Sequence, residues 1–154
     1  LSTEPLDVLE ELLEEVVDCL GLDADVSVEE ADGVLLGCVE GDDVGLLIGR
    51  RGTTIDAVQH LAQRIVFGGS SPSARVVIDA DGYRERRAKH LQEEADDAAE
   101  QALRGGTPVE LEPMPASERR IVHEYLRERG DVQTHSEGDE PERFLVVSPP
   151  ASDR

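Results

Sequence analysis

Positive charge is missing from the first third of this chain. No lysine or arginine precedes Arg50, while 15 of the 35 acidic residues fall between Glu4 and Asp43. Lysine occurs once, at position 89. There is no tryptophan, and aromatic residues make up 3% of the 154 positions, so a core of this chain must be aliphatic. No apolar run reaches the length of a membrane-spanning helix, so membrane insertion is not expected. The start, Leu1-Ser2-Thr3-Glu4-Pro5, has neither the basic nor the apolar region of a signal peptide, and a cytoplasmic location is the expectation. Leu rather than Met at position 1 leaves an N-terminal extension open. Cys19 and Cys38 have no metal-ligand spacing and read as buried small side chains rather than a disulfide. No P-loop, metal-ligand cluster or nucleophile–base arrangement accompanies the four histidines, so we expect no catalytic residues, no metal and no cofactor.

What is present reads as two small modules. Leu6, Leu9, Leu13, Val16 and Leu20 repeat at helical spacing between Pro5 and Gly21, which open and close a first helix. Strand-like runs at 24–31 and 34–40 flank Asp32-Gly33, a strong hairpin signal. A short apolar helical turn, a glycine–arginine loop and a helix from Thr53 to Phe67 follow, with Ile55, Val58, Leu61, Ala62 and Ile65 as its apolar side. After a loop at 68–73, Arg75 to Asp79 completes an α-β-β-α-α-β unit. A long helix from Tyr83 to Leu103 comes next, then a short edge strand at 107–111. The helix to Arg129 has Ser117 as its expected N-cap, and strands at 132–136 and 143–148 end the second, α+β unit.

Charge carries the functional argument. The net charge of −20 opposes binding of a polyanion, but its distribution weakens the objection. Beyond the acidic first segment the balance is 15 basic against 20 acidic residues, or −5. Arg50 and Arg51 stand between Gly49 and Gly52 at the mouth of a helix, where free N–H groups and a partial positive charge suit a phosphate. On the second module's helix, Arg119 and His123 are four residues apart and share a face that Arg127 extends. That face is either a set of phosphate donors or an ordinary solvated surface. The cluster Arg84, Arg86, Arg87 and Lys89 likewise reads either as ligand-contacting or as bland surface, and the acids 93–100 read as solvated.

Several ordered runs resemble one family. Gly45 to Gln59, with Gly49-Arg50-Arg51-Gly52 at its centre, is similar to the G-x-x-G segment of a KH domain. More narrowly, it resembles the bacterial Jag family, also called KhpB or SpoIIIJ-associated. The runs Asp79 to Arg87, Leu111 to Met114, Glu118 to His123 and Thr134 to Gly138 are similar to that family's Arg-x-x-x-His domain and the junction before it. The resemblance implies an α+β fold: a KH-type domain over 1–81, then an Arg-x-x-x-His domain over 82–149 with a short, mostly antiparallel sheet, and a tail at 150–154. It implies a non-enzymatic protein that binds single-stranded RNA, with single-stranded DNA as a further partner. Gly49, Arg50, Arg51, Gly52 and Thr53 would hold phosphates, and Ile48, Ile55 and Val58, with Val76 or Ile78, would line a groove beneath the bases or belong to the core. Arg119, His123 and Arg127 would serve the second domain. The family also implies dimerisation, with itself or with a smaller KH protein, and a link to cell-envelope growth. A protein-interaction scaffold that recruits a partner through the acidic first helix is the alternative.

Overall fold

The computed structural model describes residues 4–68 and 74–151, so most of the expected 68–73 loop and the last three residues of the tail lie outside it. The chain divides into two compact units, Leu1–Arg84 and Glu85–Arg154.

In the first unit, α1 (Pro5–Leu20) begins with proline in its first turn and ends at Gly21, whose φ of 66° is the left-handed cap that lets its N–H reach back to Asp18. Leu9, Leu13 and Val17 form the buried stripe. Cys19 lies two residues beyond Val17, about 200° around the helix, and is exposed rather than buried as expected. Strands β1 (Ala24–Ala31) and β2 (Val34–Gly41) form the antiparallel hairpin. Its turn residues Asp32 and Gly33 both have positive φ, 52° and 77°. The chain then crosses over through α2 (Gly45–Ile48) and α3 (Thr53–Phe67) to β3 (Arg75–Ala80), which runs parallel to β2. The strand order is β1-β2-β3. Leu9, Leu13, Leu47, Ile55 and Ile78 are fully enclosed in one aliphatic core, and such a side chain contributes about 2 kcal/mol on burial.

The α3 stripe is narrower than its sequence suggests. Ile55 and Ala62 face the core, but Leu61 and Ile65 are 58% and 55% exposed. They sit together on a flank of the helix, because position 61 lies about 100° from position 62.

The second unit contains most of α4 (Tyr83–Gly105), then β4 (Val109–Glu110), α5 (Ala116–Arg129), β5 (Gln133–Glu137) and β6 (Phe144–Ser148). Its sheet is wholly antiparallel in the order β4-β6-β5. Leu91, Ala95, Ala99 and Ala102 of α4 share a core with Val122, Leu126, Leu145 and Val147. Helix α5 starts one residue before Ser117: Pro115, extended at ψ 157°, is the cap, and its carbonyl accepts the Arg119 amide at 3.0 Å. A proline locked at φ −58° already terminates the preceding extended segment there.

Several charges read as surface are structural. Arg84 donates to the carbonyl of Ile78 and to Asp56 and Gln59. Arg87 grips Glu118 with two bonds of 2.8 Å, the side chains being 17% and 10% exposed. Asp96 accepts the Tyr125 hydroxyl at 2.8 Å and Arg129 at 2.7 Å, and this bonding holds its carboxyl below the usual range. Removing one member of a buried ion pair costs about 3 kcal/mol or more, since the other charge keeps its desolvation penalty. Glu118→Ala should therefore lower the midpoint of thermal unfolding by many degrees, whereas Glu85→Ala, on the exposed side of α4, should leave it nearly unchanged.

Candidate nucleic-acid interface

The turn between α2 and α3 is shaped by two glycines with no room for a side chain. Gly49 has φ 72° and ψ −176°, a region only glycine occupies readily, and a Cβ there would run into the Thr54 hydroxyl. Gly52 has φ 78°, is buried, and a Cβ would lie 2.6 Å from the hydroxyl oxygen of Tyr83. Between them Arg50 enters a 3-10 turn and Arg51 adopts the left-handed conformation at φ 53°. A right-handed residue followed by a left-handed one turns consecutive amides toward a common point, a concavity suited to an anion. Both arginines are exposed at its rim, and Thr53 begins α3 beside them.

Apolar neighbours divide by depth. Ile48 and Val58 are half-buried, while Ile55 is fully enclosed and supports the turn from within the core. Val76 and Ile78 are also core residues, 2% and 0% exposed. Of the expected groove residues, Ile48 and Val58 retain accessible surface; the fully enclosed Ile55 has none to offer a base. Tyr83, which seats Gly52, had only a helical spacing in the sequence and nothing to tie it to a residue 31 positions earlier.

In the second unit α5 and β5 frame a cleft of about 300 Å³, lined by Ala116, Arg119, Arg120, His123, His135, Ser136 and Leu145. The expected pair therefore meets there, but at different depths. Arg119 is 9% exposed. Its Nε donates to the Met114 carbonyl at 3.1 Å, one terminal nitrogen to the Ser136 hydroxyl at 3.5 Å, and the other to Glu140. His123 is exposed, with Nδ1 bonded to the Thr134 hydroxyl. That contact leaves Nε2 to face an incoming ligand. Arg120 is exposed and bonded to Glu124 one turn along, and His135 donates to Glu137 at 2.7 Å. Arg127 is exposed but does not line the cleft. Arg120, Ser136 and His135 were not singled out as ligands by residue pattern, because only strand pairing brings positions 135 and 136 to the helix. The basic junction at Arg84 and Arg87 is consumed by internal pairing.

Each unit has a family counterpart. The model described as KhpA/KhpB, KH domain, matches residues 7–78, and that of the Arg-x-x-x-His domain, written R-three-H in words, matches residues 89–149. The arginine and histidine that give the second domain its name, with three residues between them, are Arg119 and His123 here. Fold and surfaces together define a protein with a KH domain followed by an Arg-x-x-x-His domain. Over 140 residues the chain is 41% identical to RNA-binding protein KhpB of Clostridium symbiosum, covering 90% of this chain and 63% of that protein. It is 39% identical over 133 residues to RNA-binding protein KhpB of Lactiplantibacillus plantarum, covering 86% of this chain and 41% of that one. RNA-binding protein KhpB of Bacillus subtilis is 31% identical over 147 residues, 94% of this chain and 71% of its own length. The chain belongs to the KhpB family, known also as Jag. No helix among the described residues is long and apolar enough to cross a membrane.

The glycine geometry sets a test of the turn. Gly52→Ala should destabilise the chain by about 1–3 kcal/mol in denaturant unfolding, through left-handed strain and collision with Tyr83. Gly45→Ala, at the start of α2 with nothing within 4 Å of the added methyl, should be neutral.

Proposed function

We propose that this protein is a non-enzymatic, cytoplasmic single-stranded RNA-binding protein, with its KH domain over 1–81 and its Arg-x-x-x-His domain over 82–149. The observation that carries the reading is the backbone of Gly49-Arg50-Arg51-Gly52: amides converging at the head of α3, rimmed by the first two basic side chains of an acidic chain. Such a loop clamps about four nucleotides through their phosphates. Thr53 adds a hydroxyl at its edge, Ile48 and Val58 offer the apolar surface beside it, and Ile55 holds the floor in place. In the second domain His123 and Arg120 make the outer phosphate contacts above Arg119, with Arg127 one turn further along. Relatives carrying the name RNA-binding protein support the same ligand. Single-stranded DNA presents the same phosphates and differs by the absent 2′-hydroxyl. The cellular role in this reading is RNA regulation linked to cell-envelope growth.

Replacing both loop arginines, Arg50→Asp with Arg51→Asp, should abolish single-stranded RNA binding in a fluorescence titration while leaving circular dichroism and melting unchanged, since both are exposed. Each phosphate contact contributes about 0.7 to the log–log salt slope, so any residual binding should show a slope smaller by about 1.4. Undiminished affinity would remove the clamp. It would also favour the scaffold reading, for which the exposed acids Glu10, Glu11, Glu14 and Glu15 of α1 speak.

Self-association is the second part of the proposal. Leu61 and Ile65 form an exposed apolar pair one turn apart on α3, on a flank separate from the arginine turn. Such a pair suits a second copy of this domain or a smaller KH protein, which would meet it with an equivalent face. Leu61→Asp with Ile65→Asp should convert a dimer to a monomer in light scattering, and a wild-type chain that is monomeric at high concentration would exclude the homodimer.

A further inference from the structure

Among the described residues, strand β3 pairs only with β2 and forms one edge of its sheet. An edge strand offers a row of main-chain donors and acceptors that another strand, or the hydrogen-bonding edge of a base, can use. On and beside β3 four of these groups are already taken by side chains. Gln63 donates its Nε2 to the Ala74 carbonyl at 2.9 Å and accepts the Val76 amide on Oε1 at 2.7 Å. Gln59 Oε1 accepts the Ile78 amide at 2.9 Å, and Arg84 Nε donates to the Ile78 carbonyl at 3.0 Å.

The match is geometric. Gln59 and Gln63 are one turn apart on α3, an advance of about 6 Å, and they meet amides two residues apart on a strand, about 6.6 Å. The primary amide of Gln63 supplies a donor and an acceptor as the peptide group of an added strand would. Gln59 is held more firmly still, because Arg84 Nη2 also donates to its Oε1 at 3.1 Å. Two donors converging on one oxygen fix the orientation of that amide, with its NH2 turned away from β3. Arg84 is fixed in turn by Asp56 at 2.6 Å. Tyr83, the residue before it, seats Gly52, so the sealed edge ends next to the arginine turn.

We propose that Gln59 and Gln63 govern base discrimination in this domain: they occupy the main-chain edge of β3, so RNA held at Arg50 and Arg51 is bound with little regard to base identity. The donor that this arrangement turns outward, Gln59 Nε2, finds an acceptor on any of the four bases and discriminates weakly. The inference rests on the RNA-binding reading above and adds to it which part of the ligand is read.

The test uses the intact chain, wild type and Gln63→Met, with methionine keeping the length and losing the amide. Anisotropy titrations against short homopolymers of adenosine, cytidine and uridine give the ratio of best to worst affinity, and amide exchange at Val76 and Ile78 reports whether the edge is open. Wild type should bind all three within about threefold, mainly through phosphates. In Gln63→Met the Val76 amide should exchange faster, and the ratio should widen to about tenfold, the lower range of a single base contact. The salt slope should not change, since no charge has moved. A ratio that stays flat while the Val76 amide exchanges freely overturns the inference. A wild-type ratio already above about tenfold overturns it without any variant. If wild type binds none of the three, the RNA reading itself fails, and the inference with it.

Discussion

The contact between Gly52 and Tyr83 is the constraint around which the first unit is arranged. A glycine pressed against an aromatic ring, in a left-handed conformation that side chains disfavour, forces the chain to turn sharply between α2 and α3. The turn throws Arg50 and Arg51 outward and starts α3 at Thr53. It also settles where α3 lies over the sheet, since Ile55 enters the core three residues later. Tyr83 follows β3 after a short turn, so the same contact ties the loop to the strand whose edge Gln59 and Gln63 close.

Arginine serves two physical purposes in this acidic chain. Arg84, Arg87, Arg119 and Arg129 are each engaged by carboxylates inside their own unit, and these pairs join separate segments of the chain. A forked guanidinium meets a carboxylate with two parallel bonds, as Arg87 does with Glu118, and tolerates partial burial better than an ammonium group. That chemistry suits a chain with one lysine. Arg50, Arg51, Arg120 and Arg127 are exposed, and they carry the positive charge that a solvent-borne anion can meet.

Much of the fold was legible because its signals are local. Asp32-Gly33 demands a hairpin through its own backbone preferences, and Pro5 and Gly21 bound α1 for reasons that require no distant partner. The two glycines around the arginines were informative in the same way. Other readings depended on partners that pattern alone does not reveal. Leu61 and Ile65 belong to the same helical repeat as Ile55, yet the sheet beneath α3 covers only one arc of the helix. Cys19 fell outside the covered arc of α1 for the same reason. Ser117 had the right side chain for a cap, but Pro115 had the right backbone, and the backbone determined where the helix began.

By itself the sequence determined the order of elements, the glycine–arginine turn, and the placing of Arg119 and His123 on one helical face, since all three follow from neighbouring residues. Only the tertiary structure decided how deep each of those side chains would lie. Arg119 is drawn inward by Ser136 and Glu140, which are 17 and 21 positions away, and His123 stays at the surface beside Thr134. The β3 edge is closed by glutamines from a helix 13 and 19 positions earlier. Spacing along a chain sets direction, whereas burial and hydrogen-bond partners depend on which distant segment arrives opposite, and that is settled by packing.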